Sequence, residues 1–139
     1  MLTYSASTTI NAPPETVWRI LTDAAGYPKW DPGIDRIEGT ITPGGQVTAY
    51  TKRDPNRAFP AKVTEFVSPR KMVWSGGMPL GLFKGVRTFT LTPNGTSTEL
   101  SIREEFSGLL LPLFARGIPD MTQTFQDFAA GLKAYAEKA

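Results

Sequence analysis

The chain predicts an α+β fold: a curved sheet of seven antiparallel strands wrapped around a long C-terminal helix, with two short helices after the first strand. Three observations carry this reading. Turn chemistry recurs at Thr42-Pro43-Gly44-Gly45, Asp54-Pro55-Asn56, Ser68-Pro69-Arg70 and Pro93-Asn94-Gly95-Thr96, cutting the middle of the chain into short segments. The C-terminal region then changes period, with Met121, Phe125, Phe128, Leu132 and Tyr135 spaced as one face of a helix. Between the first strand and the meander, Pro13-Pro14-Glu15 opens a helix.

In chain order, Leu2 to Ile10 is rich in Thr, Ser and Ala, with Tyr4 and Ile10, and reads as the first strand. Asn11-Ala12-Pro13-Pro14-Glu15 places prolines where a missing N–H is tolerated and an acid in the first turn. Val17, Ile20 and Leu21 give that helix its apolar face, with Trp18 beside it, and it ends near Asp23-Ala24-Ala25-Gly26. Two prolines in Tyr27-Pro28-Lys29-Trp30-Asp31-Pro32-Gly33 allow one helical turn and a sharp exit. Six strands follow at roughly 34–41, 46–53, 58–67, 71–76, 83–92 and 97–107, joined by tight turns as an antiparallel meander. Gly117 and Pro119 predict a break before the last helix, where Asp120 and Gln123 have the spacing of a capping box. Each element has one apolar face to hide, and wrapping the sheet around the long helix hides them all.

With 139 residues, 40% hydrophobic and 20% charged, the chain reads as one globular domain over residues 1–139. A net charge of +2 with no Lys/Arg-rich run gives little footing for a nucleic-acid partner. The chain has no Cys and no His, which removes disulfides, thiolate nucleophiles, imidazole bases and the usual zinc ligands. The carboxylates show no ligand-like clustering, and neither a metal nor a cofactor is expected. Gly76-Gly77-Met78-Pro79-Leu80-Gly81-Leu82 lacks the Gly-Lys-Ser/Thr ending of a phosphate cradle and precedes a strand. The opening residues lack a basic and apolar leader, and the run Gly108–Ala115 is too short to span a bilayer and contains Pro112. A cytoplasmic protein without stable membrane insertion, monomeric or homodimeric, is the expectation.

One strand breaks the binary pattern. In Phe83-Lys84-Gly85-Val86-Arg87-Thr88-Phe89-Thr90-Leu91, a period of two puts Arg87 on the face of Phe83, Phe89 and Leu91. On the next strand Glu104 shares a face with Leu100, Ile102 and Phe106. A two-residue turn at Asn94-Gly95 pairs Arg87 with Ile102 and leaves Glu104 a diagonal step away. A turn centred one residue later puts Glu104 directly opposite Arg87; the two registers differ by two and preserve the same faces. A lone buried guanidinium costs on the order of several kcal/mol, so a carboxylate neighbour is the expected companion.

Ala12-Pro13-Pro14-Glu15-Thr16-Val17-Trp18, Leu21-Thr22-Asp23 and Tyr27-Pro28-Lys29-Trp30-Asp31-Pro32, taken in order, resemble the helix-grip superfamily called SRPBCC. This superfamily includes START lipid-binding domains, birch-pollen-allergen-like proteins and polyketide cyclases. Ser68-Pro69-Arg70-Lys71-Met72-Val73-Trp74, Gly81-Leu82-Phe83 with Gly85 and Phe89, and Glu105-Phe106-Ser107-Gly108-Leu109-Leu110 extend the resemblance over nearly the whole chain. It implies a deep, largely apolar cavity between sheet and long helix, in which relatives carry lipids, sterols, hormones or polyketides. Many bacterial relatives resemble Gly-Glu-His-Xaa-Phe where this chain has Gly85-Val86-Arg87-Thr88-Phe89, so imidazole-dependent activity does not transfer.

The expected ligand-binding set is therefore Arg87, Glu104, Tyr27, Trp30, Trp74, Phe89, Phe125 and Phe128. Two roles are open to Arg87 and Glu104. They form a structural bridge near the sheet's open end, or Arg87 holds a ligand carboxylate, phenolate or carbonyl while Glu104 orients it. Arginine stays protonated, so its task is anion recognition or enolate stabilisation rather than base catalysis. Tyr27 and Trp30 wall the cavity mouth or cap the core beneath the short helix; Asp31 serves as an acid or holds a turn. Trp74, Phe89, Phe125 and Phe128 face the interior as core, lining or both. Met78, Leu80 and Leu82 suit one lip over an apolar pocket and Leu109–Phe114 an opposing lip, unless they bury against the sheet edge. The functions to be weighed are uptake of a small, mostly hydrophobic molecule, a polyketide cyclase/dehydratase-like reaction, and a protein-interaction or co-chaperone-like role.

Overall fold

The computed structural model describes residues 1–139 with the exception of the Arg116 side chain. Its strands are β1 (Leu2–Ile10), β2 (Ile34–Gly39), β3 (Gln46–Thr51), β4 (Phe59–Val67), β5 (Lys71–Gly77), β6 (Lys84–Asn94) and β7 (Ser97–Ser107). Helix α1 spans Pro14–Leu21 and is followed by a 3-10 turn at Ala24–Lys29. The one-turn α2 (Leu111–Phe114) and a 3-10 turn at Ala115–Gly117 precede α3, Thr122–Lys138.

The sheet order is β1-β7-β6-β5-β4-β3-β2, with every neighbouring pair antiparallel. The meander runs outward from β7 to β2, and β1 returns to cover the free side of β7. Register shifts at Ile34/Arg36 and Val63/Glu65 mark bulges, which bend strands and increase local twist. They curl the sheet around α3 into a half-barrel. In β1 the half-buried Leu2, Tyr4, Ala6 and Thr8 alternate with exposed Thr3, Ser5, Ser7 and Thr9, a period-two pattern with one solvated face.

Helix α1 starts with proline at its first position, as its sequence demands, and buries Pro14, Val17, Trp18, Ile20 and Leu21. The Thr22 hydroxyl donates to the Trp18 carbonyl at 2.8 Å and helps finish the helix. Helix α3 buries Phe125, Phe128, Ala129, Leu132 and Ala136, one stripe of its surface. The Asp120 carboxylate accepts from the Thr122 amide at 2.9 Å, but the expected capping box is not made. The Gln123 side chain instead donates to Asp127 one turn on, at 2.8 Å.

The two-residue turn of the β6–β7 hairpin is Gly95-Thr96, since Asn94 pairs with Ser97. Gly95 takes φ +62°, a conformation that glycine supplies without a Cβ penalty. The hairpin therefore takes the later of the two registers, and Arg87 lies directly opposite Glu104.

Candidate functional site

One row of side chains crosses the concave face of the sheet: Tyr4, Glu104, Arg87, Trp74 and Val63, each opposite the next. Directly opposed residues on one face are the closest neighbours a sheet provides. The Arg87 Nε donates to Glu104 Oε2 at 2.8 Å. The two side chains remain 26% and 13% exposed, so the pair sits at the half-open end of the interior and solvent screens part of its attraction. The guanidinium carbon lies 5.1 Å from the centre of the Phe125 ring, within cation–π range. Strand pairing and helix packing thus hold Arg87 from two sides. Among the described residues its only hydrogen bond runs through Nε.

Arg87 abuts a continuous aromatic cluster. Trp74 lies 4.9 Å from Phe89 and 6.3 Å from Tyr27, ring centre to ring centre. Tyr27 lies 4.5 Å from Trp30, and Trp30 meets Phe128 edge-on at 5.0 Å. Phe128 closes the ring at 6.1 Å from Phe89. All eight residues expected at the site are therefore brought together, six of them as fully packed core. The deep cavity implied by the resemblance is closed here: these aromatic rings occupy the space between sheet and α3. A depression of about 520 Å³ opens instead between α1 and the end of α3, beside Arg19, Asp23, Trp30, Tyr135 and Lys138. Another, of about 250 Å³, lies between β1 and α3. Neither reaches the ion pair.

Four polar groups in and beside this cluster bear on its chemistry. The indole N–H groups of Trp30 and Trp74 are buried and have no acceptor among the described residues, an uncommon condition for an interior donor. The Tyr27 hydroxyl donates to the Leu21 carbonyl. Burial, reinforced by the nearby Asp31 carboxylate, pushes its pKa well above the ordinary 10.0. Asp31 accepts from the Gly33 amide at 3.0 Å, which is the turn-holding arrangement. Burial raises the Asp31 pKa above the ordinary 3.8, while the Gly33 amide, Arg87 and Lys52 pull the other way and Asp127 adds to the rise.

The sign of this shift sets a pH dependence. A carboxyl whose folded pKa is raised contributes most to stability below its unfolded value near 3.8, and that contribution falls as pH rises through the folded value. Asp31→Asn keeps an oxygen for the Gly33 amide and removes the buried charge. The variant is expected to melt at or above the wild-type temperature at pH 7, with a flatter profile from pH 3 to 7, measured by thermal denaturation across that range. A lower melting temperature at pH 7 would show that the charge itself is needed.

Residues outside the expected set also shape the site. Phe83 stacks on Phe106 with centres 6.0 Å apart and meets Phe114 edge-on at 5.4 Å. Tyr4 meets Phe106 at 6.5 Å. Strand parity already places Phe83 and Phe106 on the faces of Arg87 and Glu104. Tyr4 carries no such signal, because its pairing with Glu104 joins opposite ends of the chain.

A family model described as polyketide cyclase / dehydrase and lipid transport matches residues 1–137. The chain belongs to this family. Solved structures similar to this polyketide cyclase / dehydrase and lipid transport family member share its fold at low identity. Protein MLL2253 from Mesorhizobium loti is 19% identical, with a TM-score of 0.77 over 99% of this chain and 98% of that one. The Zhui aromatase/cyclase from Streptomyces sp. R1128 is 16% identical, with a TM-score of 0.73 over 99% and 94%. A START superfamily protein from Mycobacterium smegmatis is 18% identical, with a TM-score of 0.70 over 98% and 97%. A sequence search of curated proteins finds no match. The family assignment and these neighbours agree with the SRPBCC resemblance and with its helix-grip fold.

Proposed function

We propose that the chain binds a small, mostly apolar molecule of lipid, polyketide or aromatic type, with an acceptor oxygen of that molecule held by Arg87. The observation that carries this reading is the guanidinium itself. Glu104 engages Nε alone, so the fork of terminal nitrogens stays available for a carbonyl, carboxylate or phenolate. Preorganisation by Glu104 and Phe125 lowers the ordering cost of binding. The unpaired Trp74 indole N–H, on the residue opposite Arg87, offers a second donor. The apolar part of the ligand lies against Phe83, Phe106 and Phe125, and the closed interior opens by rearrangement of its rings. The site works in a monomer or homodimer in the cytoplasm.

Arg87→Ala is expected to remove ligand retention while changing stability little, because the pair is partly solvated. Native mass spectrometry of freshly purified protein, and thermal shifts with a panel of fatty acids and aromatic carboxylates, check this. In the wild type, a probe at one hundred times its Kd stabilises by about 2.7 kcal/mol; in Arg87→Ala the shift is expected to vanish. Survival of the shift in Arg87→Ala, or loss of several kcal/mol without ligand, makes the pair structural.

A catalytic reading has its own support in the family description and in Asp31, a buried carboxyl with a raised pKa in the field of Arg87. In an aldol-like ring closure the Asp31 carboxylate takes a proton from the carbon between two carbonyls, and Arg87 stabilises the enolate oxygen. The enolate carbon attacks a second carbonyl, and the resulting alkoxide regains the proton from Asp31. Cyclisation of a poly-β-ketone probe by the wild type, and its loss in Asp31→Asn, distinguishes this reading from simple uptake.

A further inference from the structure

Most of the exposed large hydrophobic side chains gather in one place, Val67 and Tyr135 standing apart from them. Leu80, Leu109, Leu113, Met78, Phe114 and Phe59 all lie at one end of the sheet, where β4 begins, β5 ends and β7 gives way to α2. Leu80 is 93% exposed, Leu109 80% and Leu113 72%. Contiguous apolar surface of this kind marks an interaction site.

This end is built to keep those side chains outward. Leu80 has φ +62°, the one non-glycine residue with positive φ among the described residues, a conformation sterically unfavourable for a residue with a Cβ. The two loops that carry the leucines are tied to each other through the main chain. The Leu110 amide donates to the Leu82 carbonyl at 2.7 Å and the Leu109 amide to the Gly81 carbonyl at 3.4 Å, while the Met78 amide closes the first loop on the Phe83 carbonyl at 2.8 Å. No charged residue occurs from Met72 through Phe83 or from Phe106 through Ala115. The charges stand around this tip. Lys84 is exposed at its base, and the β3–β4 hairpin, one strand over at the same end, exposes Lys52, Arg53 and Arg57 against Asp54.

We propose that this tip docks reversibly on an anionic lipid bilayer, with the leucines entering the headgroup–acyl boundary and the surrounding lysines and arginines meeting lipid phosphates. An apolar wedge ringed by cations is the pattern of interfacial binding, in which buried apolar area and attraction to anionic lipid add together. The same charge argues against a second copy of the chain, since a two-fold interface would bring the two cationic rims together. The mode is interfacial: among the described residues no helix is long and apolar enough to cross a membrane. It is independent of what the interior holds.

The test is co-sedimentation of the full chain with sucrose-loaded vesicles of phosphatidylcholine alone, or of phosphatidylcholine with about one-third phosphatidylglycerol. The wild type is expected to bind the anionic vesicles about tenfold more tightly or better, and to release as salt rises from about 50 to 300 mM. Leu80→Asp with Leu109→Asp is expected to lose about tenfold or more, with unchanged circular dichroism and melting temperature; Leu113→Asp alone repeats the test where the pair perturbs folding. Replacing Lys52, Arg53 and Arg57 with alanine is expected to remove the anionic preference. Absence of wild-type binding, or equal binding by the aspartate variants, overturns the proposal. So does a dimer that those variants dissolve in a protein that ignores vesicles.

Discussion

Phe128→Ala is expected to destabilise the protein by about 4 kcal/mol, the cost typical of truncating a well-packed core phenylalanine. Phe128 is 4% exposed and joins two halves of the interior, touching Trp30 below the 3-10 turn and Phe89 on β6. Its removal takes away transfer free energy and leaves a void whose walls are indole and phenyl rings. Rings of that size, held from several sides, collapse poorly into such a space. For a domain of this length the melting temperature is expected to fall by about 10 °C or more. Phe128→Leu, which keeps most of the volume, is expected to cost less than half as much. Urea titration of the three proteins measures both. A loss below about 1 kcal/mol in Phe128→Ala would mean the aromatic cluster is already loosely filled.

The second large effect reverses a usual sign. Glycine to alanine inside a helix ordinarily stabilises by about 0.5–1 kcal/mol, because alanine orders more easily. Gly131 sits mid-way along α3, and a Cβ built there falls on the Trp30 carbonyl oxygen, with Pro32 Cδ 3.5 Å away. The obstacle is backbone, so relief requires moving α3 off the segment that follows the 3-10 turn. Gly131→Ala is expected to lose about 3 kcal/mol, in line with overpacking at a site that cannot give. The neighbouring exposed position supplies a control: Ala130→Gly is expected to lose no more than about 1 kcal/mol. Thermal and chemical denaturation of the pair decide the matter, and a stabilised Gly131→Ala would contradict the packing.

The elements were legible where the chemistry is local. Proline, glycine and asparagine punctuate the meander, and the spacing of Phe125, Phe128 and Leu132 announces α3. The partnership of Arg87 with Glu104 was legible from parity alone, because a register shift by two leaves every side chain on its face. Which register forms was not, since Asn94-Gly95 and Gly95-Thr96 are both serviceable turns and packing chooses between them. The closed interior was also illegible. Whether Tyr27, Trp30, Trp74 and Phe128 line a cavity or fill it depends on how rings from the 3-10 turn and its exit, from β5 and from α3 interlock. The capping geometry at Asp120 differed for a local reason: its carboxylate reaches the Thr122 amide, so Gln123 is left to bond along the helix.

The position of β1 beside β7 has a consequence for biosynthesis. On the ribosome, β2 through β7 can assemble by successive hairpins, each strand meeting the one made just before it. β1, made before the other strands of this sheet, is among the last of them to find its place: Leu2 waits for Phe106 and Ile10 for Thr98. Helix α3, which packs on β1, emerges later still. Until then the nascent chain carries an apolar sheet face, not yet covered by α3, into the crowded space at the tunnel exit. A folding helper would be needed most in that interval, between the emergence of β7 and the arrival of α3.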